Sequence, residues 1–237
     1  MQLNILSYNV HKLFNITGRK YFLSTLREIL SGMDLDLVFL QEIPGLIHQG
    51  YEEKYQCDPL EHLADQLWDH FVYGKNAIST NYNHGNAILS KYPLVHSKNF
   101  NISNHRLEQR GFLWGKIEIE GKSLMLGCTH LDLTSMGRSL QVKKIVPILE
   151  QSSGDETSML ICGDFNDWDG QTSQKILRLN LKTERVGPTY PSFYPVLWLD
   201  RIFYRNLTCK TIKVLNESYW KNLSDHLPIY GEFVLGE

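Results

Sequence analysis

The sequence predicts an α/β protein built as a mixed-sheet sandwich with helices on the outside. Apolar segments of strand length intermix along the chain with segments of helical spacing, and a Gly-Lys pair at 121–122 marks a hairpin between two of the strands. A purely parallel, doubly wound sheet does not contain such a hairpin, so a mixed sheet is the better prediction. Because no linker or low-complexity tract interrupts the 237 residues, we expect a single domain over 1–237.

Each predicted element follows from its own pattern. Residues 35–40 are almost continuously apolar, as in a buried strand, whereas residues 3–8 alternate between apolar and polar side chains. The predicted strands cover residues 3–8, 35–40, 86–90, 112–120, 123–129, 159–162, 199–204 and 229–235. Helical spacing occurs over 21–30, 60–67 and 140–149, and Pro147 predicts a kink or an early end in the last of these helices.

Charge, cysteine content and hydropathy exclude several classes of protein. The formal net charge of −2 lacks the strongly basic balance typical of nucleic-acid binders, and it is compatible with an acidic pocket for a divalent cation. Four scattered cysteines, without a Cys-x-x-Cys pair, argue against a disulfide framework or a zinc site, and Cys128 and Cys162 lie in apolar runs typical of buried residues. No apolar run approaches the length of a membrane helix, and the N-terminus lacks signal-peptide features, so we expect a cytoplasmic monomer; secretion without a classical signal stays open.

Polar side chains stand where several apolar segments end. Strand ends at one edge of a sheet can converge, and catalytic groups favour such rigid positions, so we expect these side chains to share one site. Each of them alone is more often a turn former or a solvated cap, but together they supply carboxylates, amides and histidines. The residues are Asn9, Glu42, His130, Asp164, Asn166, Asp225 and His226.

The sharpest local signal is Gly-Asp-Phe-Asn at residues 163–166. The glycine allows close approach of another segment, and Asp164 and Asn166, two residues apart, face one pocket if the chain stays extended. The alternative is an Asx-rich turn, because Asp167 and Asp169 follow directly. Carboxylate and amide oxygens are suited to Mg²⁺ or Mn²⁺, and a histidine paired with an aspartate supplies an oriented base or donor.

Seven short motifs, spread in order over nearly the whole chain, resemble the endonuclease/exonuclease/phosphatase superfamily. That superfamily includes pancreatic deoxyribonuclease, abasic-site endonucleases, neutral sphingomyelinases and inositol-polyphosphate 5-phosphatases. The motifs are Ser-Tyr-Asn-Val at 7–10, Leu-Gln-Glu-Ile at 40–43, Gly-Asn-Ala-Ile-Leu-Ser-Lys-Tyr-Pro at 85–93, Thr-His-Leu at 129–131, Gly-Asp-Phe-Asn at 163–166, Leu-Asp-Arg-Ile at 199–202 and Ser-Asp-His-Leu-Pro at 224–228. The resemblance implies a four-layered sandwich, in which two mixed sheets pack face to face with helices outside.

The resemblance also implies a magnesium site, with manganese as an alternative. By position, Glu42 is the expected principal metal ligand and Asn9 its neighbour. Asp225 is expected near the metal. Arg110 stands where many related sequences carry an arginine, so we interpret it as a phosphate clamp; the alternative is a solvated arginine before a strand.

The remaining roles implied by the resemblance concern the phosphate. Asp164 is expected to orient or deprotonate the attacking water, while His130 and Asn166 hold the phosphoryl oxygens. His226, hydrogen-bonded to Asp200, is expected to lie closest to the scissile phosphate. At the position of His130 the abasic-site endonucleases usually carry a tyrosine, so this chain is more similar to the sphingomyelinase, phosphatase and deoxyribonuclease branches.

These residues predict hydrolysis of a phosphoester by metal-assisted attack of water, without a covalent intermediate. The base stays open between Asp164 and the Asp200–His226 pair. The near-neutral charge favours a small-molecule or lipid-headgroup substrate, and the complete catalytic set argues against a non-catalytic binding module. A nuclease is the alternative, with cationic and stacking contacts from Arg106, Arg110, Lys143, Lys144, Arg201, Arg205, Trp168, Trp198, Tyr190 and Tyr194.

Overall fold

The computed structural model describes residues 1–45, 58–78, 83–104, 109–151, 154 and 156–236. Its strands are β1 Gln2–Asn9, β2 Leu37–Pro44, β3 His70–Ile78, β4 Asn83–Ser90, β5 Leu94–Asn101, β6 Gly111–Ile119, β7 Lys122–His130, β8 Ser158–Asp164, β9 Lys182–Thr183, β10 Asp200–Arg205, β11 Leu207–Val214 and β12 Ile229–Leu235. Its helices are α1 Leu23–Ser31, α2 Pro59–Ala64, α3 Ser135–Gln151 and α4 Gln171–Leu177, and two short turns cover His11–Leu13 and Trp220–Asn222.

The strands of the described residues form two six-stranded sheets. Sheet 1 has the order β11-β12-β1-β2-β4-β3, and sheet 2 has the order β5-β6-β7-β8-β10-β9. The pairs β1–β2 and β7–β8 are parallel, whereas the other neighbouring strands run antiparallel. Both sheets are therefore mixed, as predicted. In each sheet the parallel pair lies near the middle and brings two strand ends to the same edge.

Apolar side chains hold the two sheets face to face. Ile5 and Phe39 of sheet 1 are fully buried in one cluster with Leu126 and Cys128 of sheet 2. A second cluster covers the outer side of sheet 1 with α1 and α2, and a third covers the outer side of sheet 2 with α3. The order helix, sheet, sheet, helix confirms the predicted four-layered sandwich.

The predicted hairpin joins β6 to β7. Its two turn residues, Glu120 and Gly121, both have positive φ angles of 50° and 79°, as a tight turn that matches the twist of paired strands requires. The helix predicted over 140–149 is longer than expected. α3 begins at Ser135 and continues past Pro147 to Gln151, so the proline does not end it. Among the described residues, no helix is both long and apolar enough to span a membrane.

Candidate active site

Strand register brings the predicted residues to one edge of the sandwich. In sheet 2, His130 at the end of β7 pairs with Asp164 at the end of β8, which in turn pairs with Asp200 at the start of β10. In sheet 1, Asn9 ends β1, and its Nδ2 donates a hydrogen bond of 3.1 Å to Oδ2 of Asp164. The two sheets are thus joined by a polar contact at the edge where the sequence predicted a site.

Asp164 lies at the centre of this cluster. Besides Asn9, its Oδ2 faces Nε2 of His130 at 3.4 Å and Nε2 of His226 at 3.6 Å. Its other oxygen, Oδ1, accepts a hydrogen bond of 2.9 Å from the backbone N–H of Asn166. Burial raises the pKa of the Asp164 carboxyl to about 6. A carboxylate held this way is poised to exchange a proton near neutral pH.

Asp200 and His226 form a buried hydrogen-bonded pair. Nδ1 of His226 lies 2.9 Å from Oδ2 of Asp200, and Oγ1 of Thr189 donates to the same oxygen at 2.5 Å. The Tyr190 ring packs against the imidazole at 5.0 Å between ring centroids. Burial lowers the pKa of His226, but the negative charges of Asp200 and Asp164 outweigh it and raise the pKa to about 10. His226 therefore keeps its proton at neutral pH.

Glu42 reaches the site through a bulge in β2. The register between β2 and β4 shifts between Leu40 and Ile43, and Glu42 has a φ of 55°, a conformation that is uncommon outside glycine. Its side chain is 17% exposed, with Nζ of Lys12 and Nδ1 of His130 each 3.7 Å from a carboxylate oxygen. Within the part of the chain that the structure describes, these oxygens accept no hydrogen bond. A largely buried carboxylate without donors is suited to a cation.

The turn that follows Asn9 supplies two further side chains that the sequence did not single out. His11, Lys12 and Leu13 all have positive φ angles, of 42°, 56° and 62°. Such a run of left-handed residues is costly and tends to occur at functional sites. Nδ1 of His11 lies 3.0 Å from Oδ1 of Asp225, and the backbone N–H of His11 donates to Oδ1 of Asn9 at 3.1 Å. With the contact of Lys12 to Glu42, the turn thus reaches all three predicted metal ligands.

Gly163 and Asn166 set the conformation of the Gly-Asp-Phe-Asn segment. Gly163 has a φ of 155°, and a Cβ there would lie 2.0 Å from the carbonyl oxygen of Thr129, so only glycine fits. The predicted extended conformation does not continue to Asn166, which has a φ of 48°. Its Nδ2 donates to the carbonyl oxygen of Leu131 at 2.9 Å. Asn166 therefore reaches the site edge through a turn, and its amide is fixed by the chain that follows His130.

Positive charge gathers on the Glu42 side of the site. Burial and the nearby charge of Arg110 hold the pKa of His130 well below its usual value. Burial also lowers the pKa of His84 to about 4, with Lys12 and Arg110 adding to the shift and Glu42 opposing it. The charge of Arg110 thus lowers the pKa of both histidines. The sequence analysis did not single out His84, which lies on β4 and pairs with Pro44 of β2.

Three other cations considered for nucleic-acid contact donate hydrogen bonds to backbone carbonyls. Arg201 donates to the backbone carbonyls of Asp200 and Asp167, and Arg205 donates to those of Thr157 and Leu179. Lys144 donates to the carbonyls of residues 102 and 103. Among the aromatic candidates, Trp198 lies under the guanidinium of Arg185, whereas Trp168 and Tyr194 are exposed. Arg106 lies outside the described residues.

Among the described residues, Asp164, Asp200 and His226 have ligand atoms within 4.8 Å of one another and could hold a metal ion. Oδ2 of Asp200 in this group accepts hydrogen bonds from His226 and Thr189. The carboxylate of Glu42, which accepts no hydrogen bond from the described residues, is also available to a cation.

Comparison with known proteins finds a matching family model and a sequence relative. The chain matches the model of the endonuclease/exonuclease/phosphatase family over residues 1–226. It is 32% identical over 244 residues to YbhP, an uncharacterized protein of Escherichia coli strain K12, and the match covers 98% of this chain and 96% of YbhP.

Solved structures share the fold. An endonuclease/exonuclease/phosphatase from Beutenbergia cavernae DSM 12333 superposes with a TM-score of 0.81 at 18% identity, covering 99% of this chain and 72% of that chain. A mannosyl-6-phosphatase of Bacteroides thetaiotaomicron VPI-5482 gives a TM-score of 0.74 at 17% identity, covering 98% and 99%.

The fold is the two-sheet sandwich of a class of proteins that comprises hydrolases acting on phosphoesters. Within that class, this chain belongs to the endonuclease/exonuclease/phosphatase family.

Proposed function

We propose that the protein is a divalent-metal-dependent hydrolase that cleaves a phosphoester by direct attack of water. The observation that carries the proposal is the convergence of Asn9, His130 and His226 on one buried oxygen of Asp164. Burying a carboxylate among titratable groups is costly for stability, and such clusters mark sites that move protons.

In this proposal Glu42 holds the metal ion, with Asp225 and the side-chain oxygen of Asn9 beside it. A bound Mg²⁺, or Mn²⁺ in its place, supplies Lewis acidity that draws charge from a phosphoryl oxygen and from the leaving oxygen. Carboxylate and amide oxygens are the ligands such ions prefer. His11 would orient Asp225 through their 3.0 Å contact, as outer partners of metal ligands commonly do.

Different side chains of the protein carry out proton transfer and hydrogen-bond donation. Asp164 takes the proton of the attacking water, because its pKa of about 6 lies near neutral pH. His226 is held protonated by Asp200 and cannot act as that base, so its Nε2 donates to a phosphoryl oxygen instead. His130 is neutral, and with the amide of Asn166 it donates hydrogen bonds to the developing negative charge. Two neighbouring groups with pKa values pushed apart are typical of acid–base pairs.

The substrate is proposed to be a small phosphoester or a lipid headgroup rather than a nucleic acid. Lys12 and Arg110 provide positive charge on the Glu42 side, enough to bind a compact anionic group. Arg201, Arg205 and Lys144 are bound to backbone carbonyls, so they do not form a track for a polyanion. A nucleic-acid strand would require such a track.

A metal-supplemented screen over phosphomonoesters, phosphodiesters, phospholipids and DNA tests the proposal. We expect Mg²⁺-dependent hydrolysis of a small or lipid phosphoester, with only a modest fall between low and moderate salt. Supercoiled plasmid should be nicked weakly or not at all. Asp164→Asn, purified in parallel, controls for contaminating hydrolases. Rapid plasmid nicking that disappears as salt rises would favour the nuclease, and no turnover of any substrate would contradict the proposed function.

A further inference from the structure

One loop beside the site presents large apolar side chains to solvent. We call residues 190–197 the apolar loop. Phe193, Tyr194 and Val196 are between 55% and 71% exposed. The loop is closed by hydrogen bonds between the backbones of Tyr190 and Leu197, at 2.8 and 3.2 Å. These side chains are therefore displayed by a defined backbone.

The apolar loop is fixed to the site at its base. The backbone N–H of Ser192 donates to the carbonyl oxygen of Asp225 at 2.7 Å, and its hydroxyl donates to that of Ser224, also at 2.7 Å. Tyr190, the first residue of the loop, packs on His226. The base of the apolar loop therefore contacts two of the predicted site residues, Asp225 and His226.

Other exposed apolar side chains lie close in sequence to the site residues. Among the described residues, the five most exposed large apolar side chains, at 58% to 78%, all lie within seven residues of His130, Asn166 or Asp200. They are Leu133, Met136, Trp168, Phe193 and Tyr194. Phe193 and Tyr194 are adjacent in the chain, and adjacent exposed apolar side chains indicate an interaction surface, whereas single exposed apolar residues need no explanation.

Charge and chemistry identify the kind of surface that fits. The Ser192 hydroxyl also lies 3.2 Å from the carbonyl oxygen of Lys221, so the backbone of that lysine is next to the base of the apolar loop. The side chain of Lys12, which pairs with Glu42, is 42% exposed. Tyrosine and tryptophan favour the boundary between lipid headgroups and acyl chains, and lysines favour anionic headgroups. A small polar substrate would have no use for apolar contacts that extend beyond the site.

We propose that the apolar loop docks on the surface of a phospholipid bilayer and that the phosphoester reaching the site is a lipid headgroup. This inference rests on the proposed function, because it names the substrate class of the same site. The loop would enter the interfacial region while Lys12 and Lys221 face anionic headgroups.

Vesicle sedimentation tests the proposal in the presence of chelator, where no turnover occurs. The probe is vesicles of phosphatidylcholine mixed with phosphatidylglycerol, at physiological salt. We expect the wild-type protein to sediment with the vesicles and the double variant Phe193→Ser/Tyr194→Ser to lose at least about tenfold in partitioning, because two aromatic side chains leave the apolar phase. Val95→Ser is the matched control. Val95 is 49% exposed near the start of β5, at the other end of that strand from the residue that pairs with Gly111. This variant should sediment as wild type.

Each contrary result overturns the inference. Wild-type protein that stays in the supernatant excludes a bilayer, as does sedimentation that the double variant retains. Loop-dependent binding to single-stranded DNA without vesicle binding would identify a nucleic acid, and loop-dependent self-association without vesicle binding would identify a second copy. If the double variant melts early, Tyr194→Ser alone repeats the test. Failure of the proposed function gives a different result: no soluble phosphoester is hydrolysed, whereas sedimentation with vesicles is unchanged.

Discussion

The variant His226→Ala is expected to lose at least about a hundredfold in kcat, with KM much less affected, because the proposed mechanism assigns to His226 the hydrogen bond to a phosphoryl oxygen. Asp200→Asn keeps the shape of the pair but presents the wrong hydrogen-bonding group to Nδ1 of His226, so its loss should be comparable. The 2.9 Å contact and the shared Thr189 bond make the pair one unit. The double variant should therefore lose little more than His226→Ala alone.

Steady-state kinetics of the two single variants and the double variant measure this coupling. His96→Ala, at an exposed histidine on β5, is the control and should keep wild-type activity. Losses that simply multiply in the double variant would show that Asp200 and His226 work independently, and the pair would have to be abandoned.

The second large effect concerns Glu42. Glu42→Ala is expected to weaken Mg²⁺ binding by more than about tenfold, since loss of a ligand should cost at least as much as loss of a group that merely orients one. The fold should survive, because this carboxylate makes no hydrogen bond among the described residues and its contacts to Lys12 and His130 are 3.7 Å long.

Calorimetric titration of Mg²⁺ into both proteins provides the measurement, with thermal melting as a check of the fold. Glu118→Ala is a matched control, because Glu118 is an exposed acid that pairs with Lys116 at 3.0 Å. Equal Mg²⁺ affinity in Glu42→Ala and wild type would remove Glu42 from the metal site.

The strands that the sequence failed to predict share one physical property. β3, β5, β9 and β11 each lie at an edge of a sheet, where one side of the strand meets solvent and apolar alternation is not required. β5 is largely exposed along its length. The central strands β1, β2, β7 and β8 are buried and apolar, so their positions followed from hydropathy alone. Burial therefore decides which parts of this fold can be predicted from sequence.

Burial also decides which residues of the site could be predicted from the sequence. Residues at the ends of buried strands, such as Asn9 and Asp164, could be predicted because their strands could be. His11 and Lys12 could not, since their contacts depend on a left-handed turn that no glycine or proline announces. His84 was missed for a different reason, because its position depends on the pairing of β4 with β2 across a bulge.

The conformation of residue 166 also could not be predicted from the sequence. Periodicity in an extended strand placed Asp164 and Asn166 on one face, yet Asn166 adopts a left-handed conformation and is fixed by the carbonyl of Leu131. The alternative interpretation of an Asx-rich turn is partly correct, because Asp167 accepts hydrogen bonds from the first residues of α4.

The central claim is that hydrolysis requires a divalent metal together with Asp164. The most direct test is the initial rate of phosphodiester hydrolysis by chelator-treated protein as Mg²⁺ is added back, for wild type and for Asp164→Asn. The account predicts no turnover without metal, saturable recovery in the wild type, and no comparable recovery in Asp164→Asn at any Mg²⁺ concentration. A full wild-type rate in excess chelator, or full recovery of the variant, would contradict it.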